Sequence, residues 1–210
     1  MKVTPLTVGS LQTNCYLVSD DKNNCIIVDP GDEADYITET ILTAKLKPQA
    51  ILLTHGHYDH VLGCLELKLN FNIPICLHQK DQALYQKATR SYTLWTKYKS
   101  SENIKFQPPP IDFYLADKQT LNFGNLQINI IHTPGHTPGS CSFLIQNILF
   151  TGDTLFATGP GRAERSYSSN VDLQNSLDSL QSITCHLPNS PLIYPGHEEF
   201  GISLFVPNSS

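Results

Sequence analysis

Four side chains within a six-residue stretch are of the types that bind metal ions. His55, His57, Asp59 and His60 form the pattern H-x-H-x-D-H, directly after the apolar run 50–53. Two imidazoles spaced two residues apart on an extended loop can point to the same side and hold one ion. Asp59 and His60 lie further round the turn, where they can reach a second ion. Chance would give this pattern in roughly one shuffled chain in 1,500, so the signal is specific.

Three further candidate ligands follow predicted strands. They are His136, Asp153 and His197, and a glycine immediately precedes each of them. Loops at the ends of neighbouring strands can meet at one rim, so we expect these side chains to join the first group. The full set has five histidines and two aspartates but no cysteine, a combination that suits catalytic zinc, iron or manganese. A purely structural metal site, or a set of surface histidines, is the alternative.

Short apolar runs and amphipathic stretches provide the elements that must position these residues. Predicted strands cover 3–8, 14–19, 25–29, 50–53, 75–77, 113–115, 120–123, 126–132, 140–145, 148–151 and 192–194. Predicted helices cover 32–47, 61–70 and 172–183. Because both halves combine strands with helices, the pattern predicts an α/β fold in which two sheets pack together with helices outside.

Length and composition indicate a globular chain. Its 210 residues correspond to one domain, 1–210, or to two small ones at most. The net charge of −5 argues against a nucleic-acid partner, and no apolar run is long enough to predict a membrane span. The N-terminus does not resemble a signal peptide. Six scattered cysteines without a C-x-x-C pair favour a reducing compartment, so we expect a cytoplasmic protein.

The segment 80–105 differs from the rest of the chain in charge and aromatic content. It holds six of the 14 basic residues and only two acidic ones, and its aromatic residues are Tyr85, Tyr92, Trp95 and Tyr98. Two interpretations are open for this segment. It is either an exposed helix whose lysine stems pack on the surface, or a wall that attracts an anionic substrate.

These motifs resemble the metallo-β-lactamase superfamily and, within it, the single-domain branch of glyoxalase II-like hydroxyacylglutathione hydrolases. The resemblance covers nearly the whole chain, and it rests on the segments 13–18, 28–31, 54–60, 132–140, 152–156 and 194–197. It implies a four-layer αββα sandwich with two divalent metal ions at one edge. Zinc is the expected metal, and iron or manganese would also suit the ligands.

The resemblance also implies a role for each candidate residue. It divides the ligands into two groups joined by one carboxylate: His55, His57 and His136 for the first ion, Asp59, His60 and His197 for the second, and Asp153 as the bridge. Asp59 would in addition orient the nucleophile. Asp29 would orient ligands from behind, and Arg162 would contact the substrate. A turn-starting aspartate and an exposed loop cation are the respective alternatives for these last two residues.

The implied activity is hydrolysis of a thioester such as S-lactoylglutathione, or of a related small ester, by a hydroxide that bridges the two ions. The common β-lactamases have a cysteine near the position of Asp153, so β-lactam hydrolysis is not expected. Glu164 and Glu198 stand where the family often has tyrosine and glycine. Because the chain ends 13 residues after His197, we expect it to lack the helical domain that helps glyoxalase II to hold glutathione.

Three other functions are compatible with the same residues. A persulfide dioxygenase would use one iron, for which His55, His136 and Asp153 would suffice. A nucleic-acid-processing hydrolase of the same superfamily would bind RNA in a salt-sensitive manner. A metal-binding regulatory module would keep the ligands without turnover. We expect a small-molecule substrate with no nucleic-acid or membrane partner, and the sequence predicts no particular oligomeric state.

Overall fold

The structure is a computed structural model that describes residues 1–96, 107–187 and 189–203. The part of the basic, aromatic segment from Lys97 to Lys105 lies outside the described residues. Within the described ranges, none of the helices has the length and apolar character needed to cross a membrane.

The first half of the chain forms a six-stranded sheet. In both chain order and spatial order its strands are β1 (Lys2–Val8), β2 (Thr13–Ser19), β3 (Asn24–Val28), β4 (Lys47–Leu52), β5 (Ile75–His78) and β6 (Phe113–Leu115). The pairs from β1 to β3 are antiparallel, and those from β3 to β6 are parallel. Parallel strands need crossover connections. These crossovers contain the helices α1 (Ala34–Thr43), α2 (Cys64–Phe71), α3 (Gln82–Gln86) and α4 (Ala88–Thr96).

The second half forms another six-stranded sheet. Its strands are β7 (Thr120–Phe123), β8 (Leu126–His132), β9 (Cys141–Ile145), β10 (Ile148–Gly152), β13 (Leu192–Pro195) and β14 (Ile202–Ser203). Their spatial order is β14-β13-β10-β9-β8-β7, and β10 and β13 are the parallel pair. The connection between these two strands contains a small hairpin of β11 (Leu155–Phe156) and β12 (Gly159–Pro160), followed by the helix α5 (Asn170–Thr184).

Alternate side chains of the first sheet enter two separate apolar cores. Tyr16 and Leu52 belong to the core between the sheets, together with Phe143 and Phe150 of the second sheet. The intervening side chains, such as that of Leu17, belong to the core that the first sheet shares with α1 and α2. A strand buried on both faces has a continuous apolar sequence instead of an alternating one.

The outer face of the second sheet is covered by α5, whose Leu180 shares a core with Leu144 and Leu149. The layers are therefore helices, sheet, sheet and helix. This arrangement confirms the predicted αββα sandwich.

The end of α1 differs from the sequence prediction. The helix predicted over 32–47 ends at Thr43, and β4 begins at Lys47. Lys45 closes the helix in the left-handed conformation, with a φ of 53°, and its amide donates to the carbonyl oxygen of Leu42 (3.1 Å). Glycine is the usual residue at this position of a helix end. Because a lysine occupies it here, the sequence contains no signal for the early end of the helix.

Candidate metal centre

The strands that precede the candidate ligands end at one edge of the sandwich. The loops at this edge contain Asp29 after β3, the 55–60 motif after β4, His136 after β8, Asp153 after β10 and His197 after β13. The carboxyl ends of the parallel pairs β3–β4 and β10–β13 necessarily lie side by side. The structure thus brings the seven candidate ligands from four places in the sequence into one cluster.

Backbone hydrogen bonds join the two sheets beside this cluster. The amide of Cys141 donates to the carbonyl oxygen of Thr54 (2.8 Å), and the amide of Asn14 donates to that of Gly196 (2.7 Å). The side-chain amide of Asn14 donates to the carbonyl oxygen of Glu198 as well (2.9 Å). Loops from the first and second sheets are therefore held in fixed relative positions before any ion binds.

Three imidazoles face one another in the first half of the cluster. His57 Nδ1 lies 2.9 Å from His55 Nε2 and 3.0 Å from His136 Nε2. The outer nitrogens have other partners. His136 Nδ1 donates to the carbonyl oxygen of Arg162 (2.7 Å), and His57 Nε2 lies 2.8 Å from the hydroxyl group of Tyr167.

The surroundings of these rings fix their protonation. Thr54 Oγ1 donates to Asp29 Oδ2 (2.6 Å), so it accepts a hydrogen bond from His55 Nδ1 (3.0 Å). Burial and the neighbouring His136 lower the pKa of His57 to about 3, and burial also lowers the pKa of His55. The rings of His55 and His57 are therefore neutral, with protons on their outer nitrogens and lone pairs on the inner ones. Lone pairs that converge in this way suit a cation, because they cannot donate hydrogen bonds to one another.

The second half of the cluster combines one carboxylate with two imidazoles. Asp59 Oδ2 lies 3.3 Å from His197 Nε2 and 3.7 Å from His60 Nε2. His197 Nδ1 donates to the carbonyl oxygen of Leu11 (3.1 Å), and His60 Nδ1 lies 3.0 Å from Asp29 Oδ2. The outer nitrogens are again held by oxygen atoms, while the inner nitrogens face Asp59.

Asp153 reaches both halves of the cluster. Its Oδ2 lies 3.4 Å from His136 Nε2 and 3.8 Å from His197 Nε2, and its Oδ1 lies 3.5 Å from His60 Nε2. Among the buried side-chain polar atoms of the described residues, His60 Nε2 and Asp153 Oδ1 are the two without a hydrogen-bond partner. Such atoms are rare in native proteins. A cation between these two atoms would satisfy both, so the residues fit a metal site.

The charges around His60 favour a cation at this position. Burial alone would lower the pKa of His60, but Asp153, Asp59 and Asp29 raise it to about 10. The same negative potential attracts a divalent ion, which would compete with the proton for the ring nitrogen.

Asp29 lies directly behind both halves of the cluster. It is buried, has a left-handed φ of 48°, and contacts His60 on one side. On the other side its Oδ1 accepts a hydrogen bond from the amide of Thr54 (2.7 Å), the residue whose hydroxyl group holds His55. One carboxylate thus fixes the ring orientation of His60 directly and that of His55 through Thr54.

Sequence reasoning did not identify Asp81 as part of this region. Its side chain is fully buried, and it accepts hydrogen bonds from the amides of Gly56 (2.8 Å) and Gly139 (2.6 Å) and from the hydroxyl group of Thr137 (2.7 Å). Burial raises the pKa of Asp81, although these hydrogen bonds act in the opposite direction. Its position four residues after the predicted strand 75–77 was the available signal.

Sequence reasoning also did not identify Tyr167, for which the sequence offers no signal. Its hydroxyl group contacts His57. The guanidinium group of Arg165, two residues earlier in the chain, lies over the ring of Trp95, 5.3 Å from the ring centroid. Tyr92 packs against Tyr58 with a centroid distance of 5.9 Å. Since Trp95 and Tyr92 belong to α4, the described part of the segment 80–105 lies beside the cluster.

An open cavity of about 240 Å³ adjoins the cluster. It is lined by His136, Asp153, Phe156, Arg162, His197 and Glu198. Its walls thus include one guanidinium group and one carboxylate besides the candidate metal ligands. Glu198 has a left-handed φ of 67°, and its carboxylate accepts a hydrogen bond from Thr158 (2.7 Å).

Comparison with known proteins identifies the family of this chain. Residues 8–197 match the model of the metallo-beta-lactamase superfamily. The chain therefore belongs to the metallo-beta-lactamase superfamily. Membership supports an enzymatic function in a superfamily of metallo-hydrolases, and the histidine and aspartate clusters fit a divalent metal site.

Three similar proteins span nearly the full length of the chain. Hydroxyacylglutathione hydrolase GloC of Haemophilus influenzae is 31% identical over 209 residues, which cover 95% of this chain and 92% of that protein. The crystal structure of TTHA1623 in a di-iron-bound form has a TM-score of 0.81 at 34% identity, with 94% and 93% of the two chains covered. The crystal structure of BLEG-1 B3 metallo-beta-lactamase has a TM-score of 0.82 at 29% identity, with 95% and 93% covered.

Proposed function

We propose that this chain is a metal-dependent hydrolase of thioesters or related small esters. One observation carries the proposal: His60 Nε2 and Asp153 Oδ1 are buried without partners where imidazole nitrogens and carboxylates converge. The similarity to hydroxyacylglutathione hydrolase GloC favours a hydroxyacyl thioester, for which S-lactoylglutathione is the test compound.

In this proposal two divalent cations bind to the two halves of the cluster. The first ion is held by His55, His57 and His136, the second by Asp59, His60 and His197, and both by Asp153. Zinc is our first choice of metal, and the di-iron form of TTHA1623 supports iron as the second. Manganese also suits the carboxylates. Bound ions of this kind lower the pKa of a water molecule towards ~7, which supplies hydroxide at neutral pH.

The residues around the ions have distinct tasks. His60 and His197 hold the pKa of Asp59 well below its usual range, although burial acts in the opposite direction, so its carboxylate is ionised. An ionised Asp59, beside His60 and His197, can accept a hydrogen bond from the attacking water and orient it. Asp29 keeps His60 in the tautomer that presents Nε2 to the ion.

Arg162 is proposed to bind the substrate. It lines the cavity next to the cluster, where its guanidinium group can pair with a carboxylate of the thiol part of the substrate. A small anionic thioester fits these walls better than a nucleic acid or a membrane surface, since the chain has a net charge of −5. We also propose that residues 1–210 act as one metallo-hydrolase domain, because both sheets contribute ligands. The six free cysteines, five of them buried, favour a cytoplasmic location.

The test combines metal analysis with hydrolysis assays on metal-free and metal-reconstituted protein. The substrates are S-lactoylglutathione, a simple lactone, a phosphodiester and a β-lactam. We expect metal-dependent hydrolysis that is fastest on the thioester. Arg162→Ala should raise KM for S-lactoylglutathione about 10–150-fold with little change in kcat, since a charged hydrogen bond contributes about 1.5–3 kcal/mol. Lys22→Ala, which removes a positive charge from the exposed turn between β2 and β3 at the other end of the sandwich, should leave both constants unchanged.

The alternative functions give different results in these assays. Oxygen consumption with release of sulfite from a persulfide would indicate a dioxygenase. Cleavage of the phosphodiester or of the β-lactam in preference to the thioester would indicate another branch of the superfamily. Tightly bound metal without turnover of any substrate would indicate a regulatory module, and absence of metal binding would refute the centre itself.

A further inference from the structure

Asp81 joins two loops that belong to different sheets. It lies at the end of a short 3₁₀ helix of one turn, Gln79–Asp81, which follows β5. Its Oδ2 accepts from the amide of Gly56, in the loop after β4, and from the hydroxyl group of Thr137, in the loop after β8. Its Oδ1 accepts from the amide of Gly139 in that second loop. One buried carboxylate therefore fixes the distance between the two loops.

Two of the three hydrogen-bond donors to Asp81 are sequence neighbours of candidate ligands. Gly56 separates His55 from His57, and Thr137 follows His136. These three histidines form the first half of the cluster, in which the inner nitrogens lie 2.9–3.0 Å apart. The hydrogen bonds of Asp81 go to loop amides and to Thr137 and not to the three rings, so they position the rings through the backbone.

The packing around Asp81 leaves little freedom for either loop. A Cβ atom added to Gly56 would lie 2.9 Å from the carbonyl oxygen of Asp81, and one added to Gly139 would lie 2.6 Å from its Oδ1. Both glycines thus allow the backbone to approach the aspartate closely. A displacement of Asp81 would shift both loops, and with them the spacing of the histidine nitrogens.

We infer that Asp81 is a positioning residue for the ion held by His55, His57 and His136, an inference that rests on the proposed metal centre. Asp81 has no such role for the ion held by Asp59, His60 and His197. The ring of His60 is oriented by Asp29, and the ring of His197 is oriented by the carbonyl oxygen of Leu11. Asp29 thus supports both halves of the centre, whereas Asp81 supports the loops of the first half alone, so a change at Asp81 should affect one half selectively.

The experiment compares Asp81→Asn with a matched control at the other end of the sandwich. Asp20 is also a buried carboxylate that joins two loops, since it accepts hydrogen bonds from the amides of Lys22, Asn24 and Asn125. It lies in the β2–β3 turn, away from the cluster. Asp20→Asn thus removes a similar set of hydrogen bonds without touching the metal-binding loops.

Zinc is titrated into the metal-free proteins in competition with a chromophoric chelator, so that two equivalents are resolved. Asp81→Asn should weaken one equivalent by about 10–100-fold, the range found when partners behind metal ligands are removed, and leave the other within about threefold. Asp20→Asn should leave both equivalents at wild-type affinity. If Asp81→Asn does not fold, Thr137→Val removes one of the three hydrogen bonds and should weaken the same equivalent by about threefold or more.

Each outcome decides a separate question. Two unchanged equivalents in folded Asp81→Asn, or in Thr137→Val where it is used, would overturn the role of Asp81. An equal loss in Asp20→Asn would also overturn it, because general destabilisation would then explain the effect. Wild-type protein that binds no zinc, iron or manganese would instead refute the proposed metal centre.

Discussion

Replacing Asp153 with asparagine should remove most of the affinity for one of the two metal equivalents. The substitution keeps the shape of the side chain but removes a negative charge that lies within 3.8 Å of nitrogen atoms of His60, His136 and His197. At an effective dielectric constant of about 20, two unit charges about 4 Å apart interact by about 4 kcal/mol. A divalent ion doubles this energy, and about 1.4 kcal/mol corresponds to a factor of ten, so we expect the weaker equivalent to lose affinity by at least about a thousandfold.

The assay for this prediction is metal analysis after removal of free ions, together with competitive zinc titration. Wild-type protein should retain two ions and Asp153→Asn about one. Asp112→Asn is the control, because it removes one carboxylate from a surface ion pair with Lys68 away from the cluster. Two tightly held ions in Asp153→Asn would refute the reasoning, since the shared carboxylate would then contribute nothing to holding them together.

Three further perturbations test other parts of the structure. Chelation of the metal should lower the Tm measured by calorimetry by about 5–11 °C. A ligand at about 100 times its Kd contributes about 2.7 kcal/mol of stability, and each kcal/mol shifts the Tm of a chain of this size by about 2–4 °C. An unchanged Tm would contradict the proposed metal binding. Tyr167→Phe should weaken zinc binding by up to about tenfold in the same titration, because His57 Nε2 loses its hydrogen-bond acceptor. An unchanged zinc affinity would show that water replaces the hydroxyl group. Burial alone would raise the pKa of Asp20, but hydrogen bonds from Asn125, Asn24 and Lys22 lower it to about 2. The contribution of Asp20 to the free energy of unfolding is therefore complete above the unfolded pKa of about 3.9 and is lost as the pH falls through about 2. The difference in the free energy of unfolding between wild type and Asp20→Asn, measured by urea unfolding, should shrink over this pH interval.

The candidate ligands could be found from the sequence because their signals are local. Four of them lie within 55–60, and His136, Asp153 and His197 each follow a strand and a glycine. Inner strands such as β2, β3 and β9 are buried at nearly every position, so their apolar runs reveal them, and the spacing of apolar residues reveals the crossover helix α1. These patterns predicted two packed sheets with helices outside, and the family resemblance implied the four αββα layers, which the structure confirms.

The supporting contacts could not be found in this way, because they join residues that are distant in the sequence. Asp81 is 56 residues from Thr137, and Tyr167 is 110 residues from His57. Which of many polar residues meet across such separations depends on how the two sheets are stacked. Very short elements were also missed, since a two-residue strand such as β11 or β14 has no periodicity to detect.

The two halves of the cluster differ in charge, and this difference bears on which metals the chain can hold. The first half presents three imidazoles and no carboxylate of its own, an environment that suits zinc and iron, whereas the second adds Asp59 to two imidazoles and suits harder ions as well. Asp153 contributes its carboxylate to both halves. Affinity alone therefore selects the metal only weakly, and the positions of the ligands matter more. Those positions are fixed by hydrogen bonds to Asp29 and Asp81, so the chain specifies the geometry of the centre more strictly than the identity of its ions.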